Sequence, residues 1–197
     1  MIAAILYPIS LVVSKTPVVF SSGLFGTIPY CAYNGVLSTL QNASIIKASS
    51  PLTKSKFEHL CDQHEQDKMP LIVHSSFDPE ILKSHRLQKA LLIDPATTPA
   101  IGFTGLTPIT IKPRAPTTII LSRYYESFVK PSLQPYIEDA NVIQLDYGGH
   151  SDLLDGMLPW LAQQIGINSD SENIDEYKSF LKIYILKWLH DTQILLK

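Results

Sequence analysis

Cysteine is scarce. Cys31 and Cys61 are the only two in 197 residues, too few for a disulfide framework. Clustered positive charge is also missing. Sixteen Lys and Arg against eighteen Asp and Glu give a net charge of −2, and no basic stripe interleaves with aromatics, which argues against nucleic acid as a partner. There is no long apolar run. Ile2 to Val13 is mostly hydrophobic, but it contains Pro8, lacks a basic flank and is too short to span a bilayer as a helix. It reads as containing a first core strand, Ala3 to Tyr7. Neither a P-loop nor a dinucleotide fingerprint occurs. His59, Cys61 and His64 lie close together on a helical stretch, with poor zinc spacing and no second cluster. The reading therefore calls for no cofactor, no metal, no nucleic acid and no integral membrane segment. It points to a soluble intracellular protein, in which the sequon Asn42-Ala43-Ser44 would matter only on secretion.

What is present suits one compact domain over 1–197. The chain is 45% hydrophobic and 17% charged, enough for a sizeable core. Apolar runs at Pro17 to Phe20, Ser44 to Ile46, Leu71 to Val73, Leu91 to Ile93, Thr118 to Leu121 and Val142 to Leu145 read as strands. Helical stretches alternate with them: Pro29 to Leu40 (weakened by Asn34-Gly35), Lys54 to Asp67, a short piece from Pro79, Pro131 to Ala140, Leu153 to Ile165, and a closing amphipathic helix marked by Ile174, Tyr177, Leu181, Tyr184, Ile185 and Trp188. Ser55 with Glu58 could form the capping box of the second. Ala96 to Thr117 is rich in Thr and Pro and reads as a long loop. This alternation predicts an α/β fold, a mostly parallel sheet with helices on both faces.

The chemistry-bearing stretch is Leu71-Ile72-Val73-His74-Ser75-Ser76-Phe77-Asp78-Pro79. A buried strand runs into Asp78-Pro79, an N-cap followed by a first helical residue. Ser75 therefore stands where strand becomes helix, at the carboxyl edge of the sheet where ligands bind. A serine needs a base, a group orienting that base, and donors for the oxyanion. Tyr147-Gly148-Gly149-His150-Ser151-Asp152 supplies a base in His150. Gly23 and Leu24, with the N–H of Ser76, are candidates for the oxyanion hole. Two carboxylates stand between serine and histidine: Asp94, closing the strand Leu91 to Ile93, and Glu126, beyond the strand Thr118 to Leu121. Both stay open, with Glu126 slightly preferred. The reading requires the Ser75 and His150 turns to meet.

In this order the parts resemble the α/β-hydrolase fold, and within it the chlorophyllase-type and related lipase or esterase members. The likeness covers roughly Pro17 to Leu189. Val73-His74-Ser75-Ser76-Phe77 falls where the family has Gly-His-Ser-x-Gly, and Asp146 to Asp155 is similar to the chlorophyllase-type histidine loop. Val73 and Phe77 replace both elbow glycines, Ser22 stands where relatives commonly have the oxyanion-loop histidine, and Ala96-Thr97-Thr98 carries no carboxylate where some relatives place their acid. The resemblance implies a Ser-His-acid hydrolase acting on a small or apolar ester. The degenerate elbow leaves a second expectation: a hydrolase-fold protein without catalysis that binds a ligand or partner.

Overall fold

The computed structural model describes residues 17–23, 28–40, 44–48, 52–97, 110–128, 134–164 and 166–190. The expected strand Ala3 to Tyr7, the residue Leu24 and most of the Thr- and Pro-rich loop lie outside these.

Six strands form one sheet in the order β2-β1-β3-β4-β6-β8: β1 (Val18–Ser21), β2 (Ile45–Ala48), β3 (Met69–Phe77), β4 (Leu87–Thr97), β6 (Thr117–Leu121) and β8 (Asn141–Gln144). Every pairing in it is parallel. Parallel strands covered on both faces need apolar side chains on both, which is why the central strands read as unbroken hydrophobic runs. The two faces carry separate cores. Val19, Leu71, Val73 and Leu92 pack on one side with Phe57, Cys61, Ile81 and Leu82. Val18, Phe20, Ile72 and Leu91 pack on the other with Tyr33, Val36, Tyr177, Leu181 and Ile185. The expected α/β architecture, with helices on both faces, is what the chain adopts.

Local differences have identifiable causes. The stretch expected as one helix from Pro29 to Leu40 is a mosaic: a 3-10 turn Tyr30–Tyr33, one α-helical turn α1 (Asn34–Leu37), and a second 3-10 turn Ser38–Leu40. The helix α2 spans Lys54–Gln63 and is capped by Thr53, whose side chain accepts from the Lys56 N–H. Ser55 and Glu58 are not its box, because Glu58 instead accepts from the Ser84 hydroxyl at 2.7 Å. Of the helix expected over Pro131 to Ala140, the described part holds a strand. β7 (Tyr136–Ile137) pairs with β5 (Thr110–Ile111) in a small second sheet, and Ile111 and Ile137 are buried together in the core. Pro135 directly before Tyr136 denies a helix the N–H it would need there, and burial of the isoleucine pair decides the rest. Leu153 to Ile165 shrinks to α4 (Leu158–Gln164), after α3 (Tyr125–Phe128), while α5 (Ile174–His190) closes the fold. Among the described residues no helix is long and apolar enough to cross a membrane.

The strand order reverses once. From β1 the chain steps outward to β2, returns to β3 on the other side of β1, and continues outward through β4, β6 and β8. The crevice between β1 and β3 at their carboxyl ends is thus the topological switch point, where parallel sheets bind ligands. Ser21-Ser22-Gly23 ends one of these strands and His74-Ser75-Ser76 lies at the end of the other.

Candidate active site

From Pro70 and Lys89, β3 and β4 pair regularly as far as His74 and Ile93, slip, and resume at Ser76 and Ala96. Ser75 on one strand therefore opposes Asp94 and Pro95 on the other, a β-bulge. Both flanking residues are left-handed, Ser75 at φ 65° and Asp94 at φ 45°. This conformation is uncommon for residues other than glycine and concentrates at functional sites. The abrupt strand-to-helix turn expected at Ser75 is not formed. Val73 and Phe77, where two glycines would allow close crossing, are buried in the core. The chain stays extended through Phe77 and only then enters a 3-10 turn, Pro79–Lys83, with Asp78 as its cap and Pro79 at its start as expected. The serine is presented by a kinked strand and is 4% exposed.

The two turns meet. The Nε2 of His74, next to Ser75, lies 3.0 Å from the carbonyl oxygen of His150, and the two imidazoles overlap with centroids 4.7 Å apart. His150 sits in the loop after β8, at the same edge of the sheet, and is itself buried. Its Nδ1 is 3.4 Å from Asp94 Oδ2. Asp94 is fully buried and well held: it accepts from the Ser122 backbone N–H and from the Ser122 hydroxyl, each at 2.7 Å. The next carbonyl, that of Pro95, accepts from the Tyr125 hydroxyl at 2.7 Å. Burial, with Asp94 and Glu126 adding to it, pushes the Tyr125 phenol well up, so it remains a donor.

Of the two carboxylates left open, Asp94 is the one the fold sets beside the imidazole, while Glu126 is exposed on α3. The segment after β6 contributes Ser122 and Tyr125, which hold the bulge that carries Asp94. The backbone around Asp94 points the same way, since a carboxylate at a left-handed break in a central strand is aimed differently from one in an ordinary strand end.

The oxyanion assignments separate. The Gly23 N–H is engaged: it donates to the Tyr33 phenolic oxygen at 2.9 Å. Gly23 can line an oxyanion hole, as expected of it, but its own N–H already has an acceptor. Leu24 lies outside the described residues. Ser76 is partly exposed and follows Ser75 directly, but it remains in β3, paired with Ala96, and not in the first turn of a helix.

Tyr33 is a site residue that sequence reasoning did not single out. It was legible only as a helix residue, and its partner His74 is 41 positions away. The histidine loop has its own seat. Gly148, at φ 80°, lies flat on the Tyr177 ring, where an added Cβ would come within 2.7 Å. Asp152 accepts from the backbone N–H groups of Gly149 and Asp170 at 2.7 Å each. Among the described residues no cluster of His, Cys, Asp or Glu could hold a metal ion. Comparisons with known proteins add no name to this geometry: no family model matches the chain, and no match to it was found among curated proteins or solved structures.

Proposed function

We propose that the chain is a serine hydrolase of the α/β-hydrolase kind that cleaves a carboxylic ester, with Ser75 as nucleophile, His150 as base and Asp94 as the orienting acid. The observation that carries this reading is the buried Asp94–His150 contact of 3.4 Å placed at the bulge that opposes the left-handed Ser75. Serine, acid and histidine follow in the chain order used by that fold. In the reaction, the imidazole takes the Ser75 proton as the hydroxyl attacks the ester carbonyl. Asp94, anchored by Ser122, stabilises the imidazolium that forms. His150 then returns the proton to the leaving alcohol, and water, activated in the same way, releases the acid. The Ser76 N–H is the donor the strand offers to the oxyanion.

The test is labelling of the intact chain with a fluorophosphonate probe, together with turnover of a short p-nitrophenyl ester. The wild type is expected to be modified at Ser75, and Ser75→Ala to be neither labelled nor active. Asp94→Asn keeps the shape of the site but leaves the imidazole in the wrong tautomer, and should cost about 10³-fold or more in turnover. Glu126→Gln should turn over like wild type. Equal turnover by wild type and Ser75→Ala overturns the proposal.

A second reading is favoured by one observation: the Gly23 N–H is already spent on Tyr33, which leaves one donor fewer for an oxyanion. In that reading the same crevice binds a small ligand or partner without covalent chemistry. A folded wild type that resists the probe supports it, and adduct formation at Ser75 excludes it.

A further inference from the structure

His74 sits in a chain of hydrogen bonds that ties together the elements of the site. Gly23 N–H donates to the Tyr33 oxygen at 2.9 Å. Tyr33 and His74 Nδ1 are 2.9 Å apart, and His74 Nε2 is 3.0 Å from the His150 carbonyl. Proton positions follow by elimination. A carbonyl oxygen can only accept, so His74 must carry its proton on Nε2. On a neutral ring Nδ1 is then an acceptor, so the Tyr33 hydroxyl must donate to it, and a lone pair on that oxygen takes the Gly23 N–H. Each member has one available role, and together they run from the end of β1 through the 3-10 turn to β3 and the loop after β8.

Packing also fixes the same ring. The Tyr33 ring meets His74 edge-on at 5.6 Å, and the His150 ring lies tilted against it at 4.7 Å. A Cβ on Gly23 would fall 3.0 Å from His74 Nδ1, a contact tight enough that the ring would have to give by a few tenths of an ångström. Burial, reinforced by the neighbouring His150, holds the His74 pKa well below the ordinary histidine value, which keeps the ring neutral.

We propose that His74, with its tautomer set by the His150 carbonyl and matched by the Tyr33 hydroxyl, is the positioning residue that clamps the His150 loop onto the nucleophile strand. This rests on the hydrolase reading of Ser75, His150 and Asp94. A displacement of about 1 Å in a catalytic base can cost about 100-fold in rate, and the His150 backbone is held at the place where its side chain must face Asp94. An apolar side chain of similar bulk would fill the space and release the loop. Glutamine, whose amide nitrogen reaches the position of Nε2, would keep the donor.

The experiment uses the full chain, ¹⁵N-labelled, with imidazole-nitrogen NMR and the rate of fluorophosphonate labelling read in parallel. Wild-type His74 should show the Nε2–H tautomer alone, and Tyr33→Phe, which leaves Nδ1 without its hydroxyl donor, should show slower labelling. His74→Leu should label about 100-fold more slowly than wild type, while His74→Gln recovers to within about tenfold. His74→Leu labelling as fast as wild type, or His74→Gln as slow as a folded His74→Leu, overturns the positioning role. If His74→Leu does not fold, Tyr33→Phe decides, and unchanged labelling in that variant overturns the proposal. A wild type with the expected tautomer but no labelling overturns the hydrolase reading while the His74 hydrogen bonds stand, and so separates the two failures.

Discussion

A histidine buried as deeply as His74 is costly to charge, and the cost appears in stability as a function of pH. Its pKa lies well below 6.5, first because burial strips water from the charged form and second because His150 is adjacent. In the unfolded chain the same side chain titrates near the ordinary value. Below about pH 6.5 the unfolded state therefore takes up a proton that the folded state refuses, and stability falls as pH falls. One proton corresponds to a slope of up to about 1.4 kcal/mol per pH unit. Urea unfolding at pH 6.5 and 5.5 is expected to show a steeper loss for wild type than for His74→Gln, which has nothing to titrate at that position. Parallel losses in the two would mean that His74 is protonated in the folded state.

The β3–β4 bulge is the element on which the site depends. At φ 65° the Ser75 backbone pays roughly 1–2 kcal/mol relative to a right-handed or extended residue. Glycine pays little of this, although it gives back part through its more flexible unfolded state. Ser75→Gly is therefore expected to be more stable than Ser75→Ala by about 1 kcal/mol, with both variants equally unreactive. Chemical denaturation of the two side by side checks this, and an alanine variant the more stable of the pair would show that the turn relaxes once the hydroxyl is gone. The bulge also explains what the sequence could and could not reveal. Val18 to Phe20, Leu71 to Val73 and Leu91 to Ile93 announced buried parallel strands through unbroken apolar runs, because both faces of each are covered. The carboxyl-edge placement of Ser75 and His150 was legible from the residue types that follow those strands. The choice between Asp94 and Glu126 was not, since it depends on a register slip between neighbouring strands and on Ser122, 28 positions from Asp94. The Tyr33 contact was hidden for the same reason. Its value comes from a partner on another strand, and nothing in Tyr30 to Tyr33 itself distinguishes a core tyrosine from one that hydrogen-bonds a buried imidazole.

Across the whole molecule, the two edges of the sheet have different work. The carboxyl edge gathers Gly23, His74, Ser75, Asp94 and His150, with strained backbone at Ser75 and Asp94 and buried polar groups. The opposite edge is held by packing and by Lys89, near the start of β4, whose register partner is Pro70 in the first turn of pairing with β3. The Lys89 ammonium donates to the Trp188 carbonyl in the last turn of α5 and lies 4.1 Å from the centre of the Trp188 ring. A positive charge there meets the negative end of the helix dipole and a carbonyl of the last described turn. Replacing it with methionine keeps the aliphatic stem but leaves that carbonyl without this donor, which should cost about 1–3 kcal/mol. Because the contact is at the amino edge, Lys89→Met is expected to lower the unfolding midpoint while each folded molecule labels with a fluorophosphonate at the wild-type rate. If the rate falls with stability unchanged, the closing helix transmits strain through Tyr177 and Gly148 to the His150 loop. The two edges would then have to be treated as one mechanical unit.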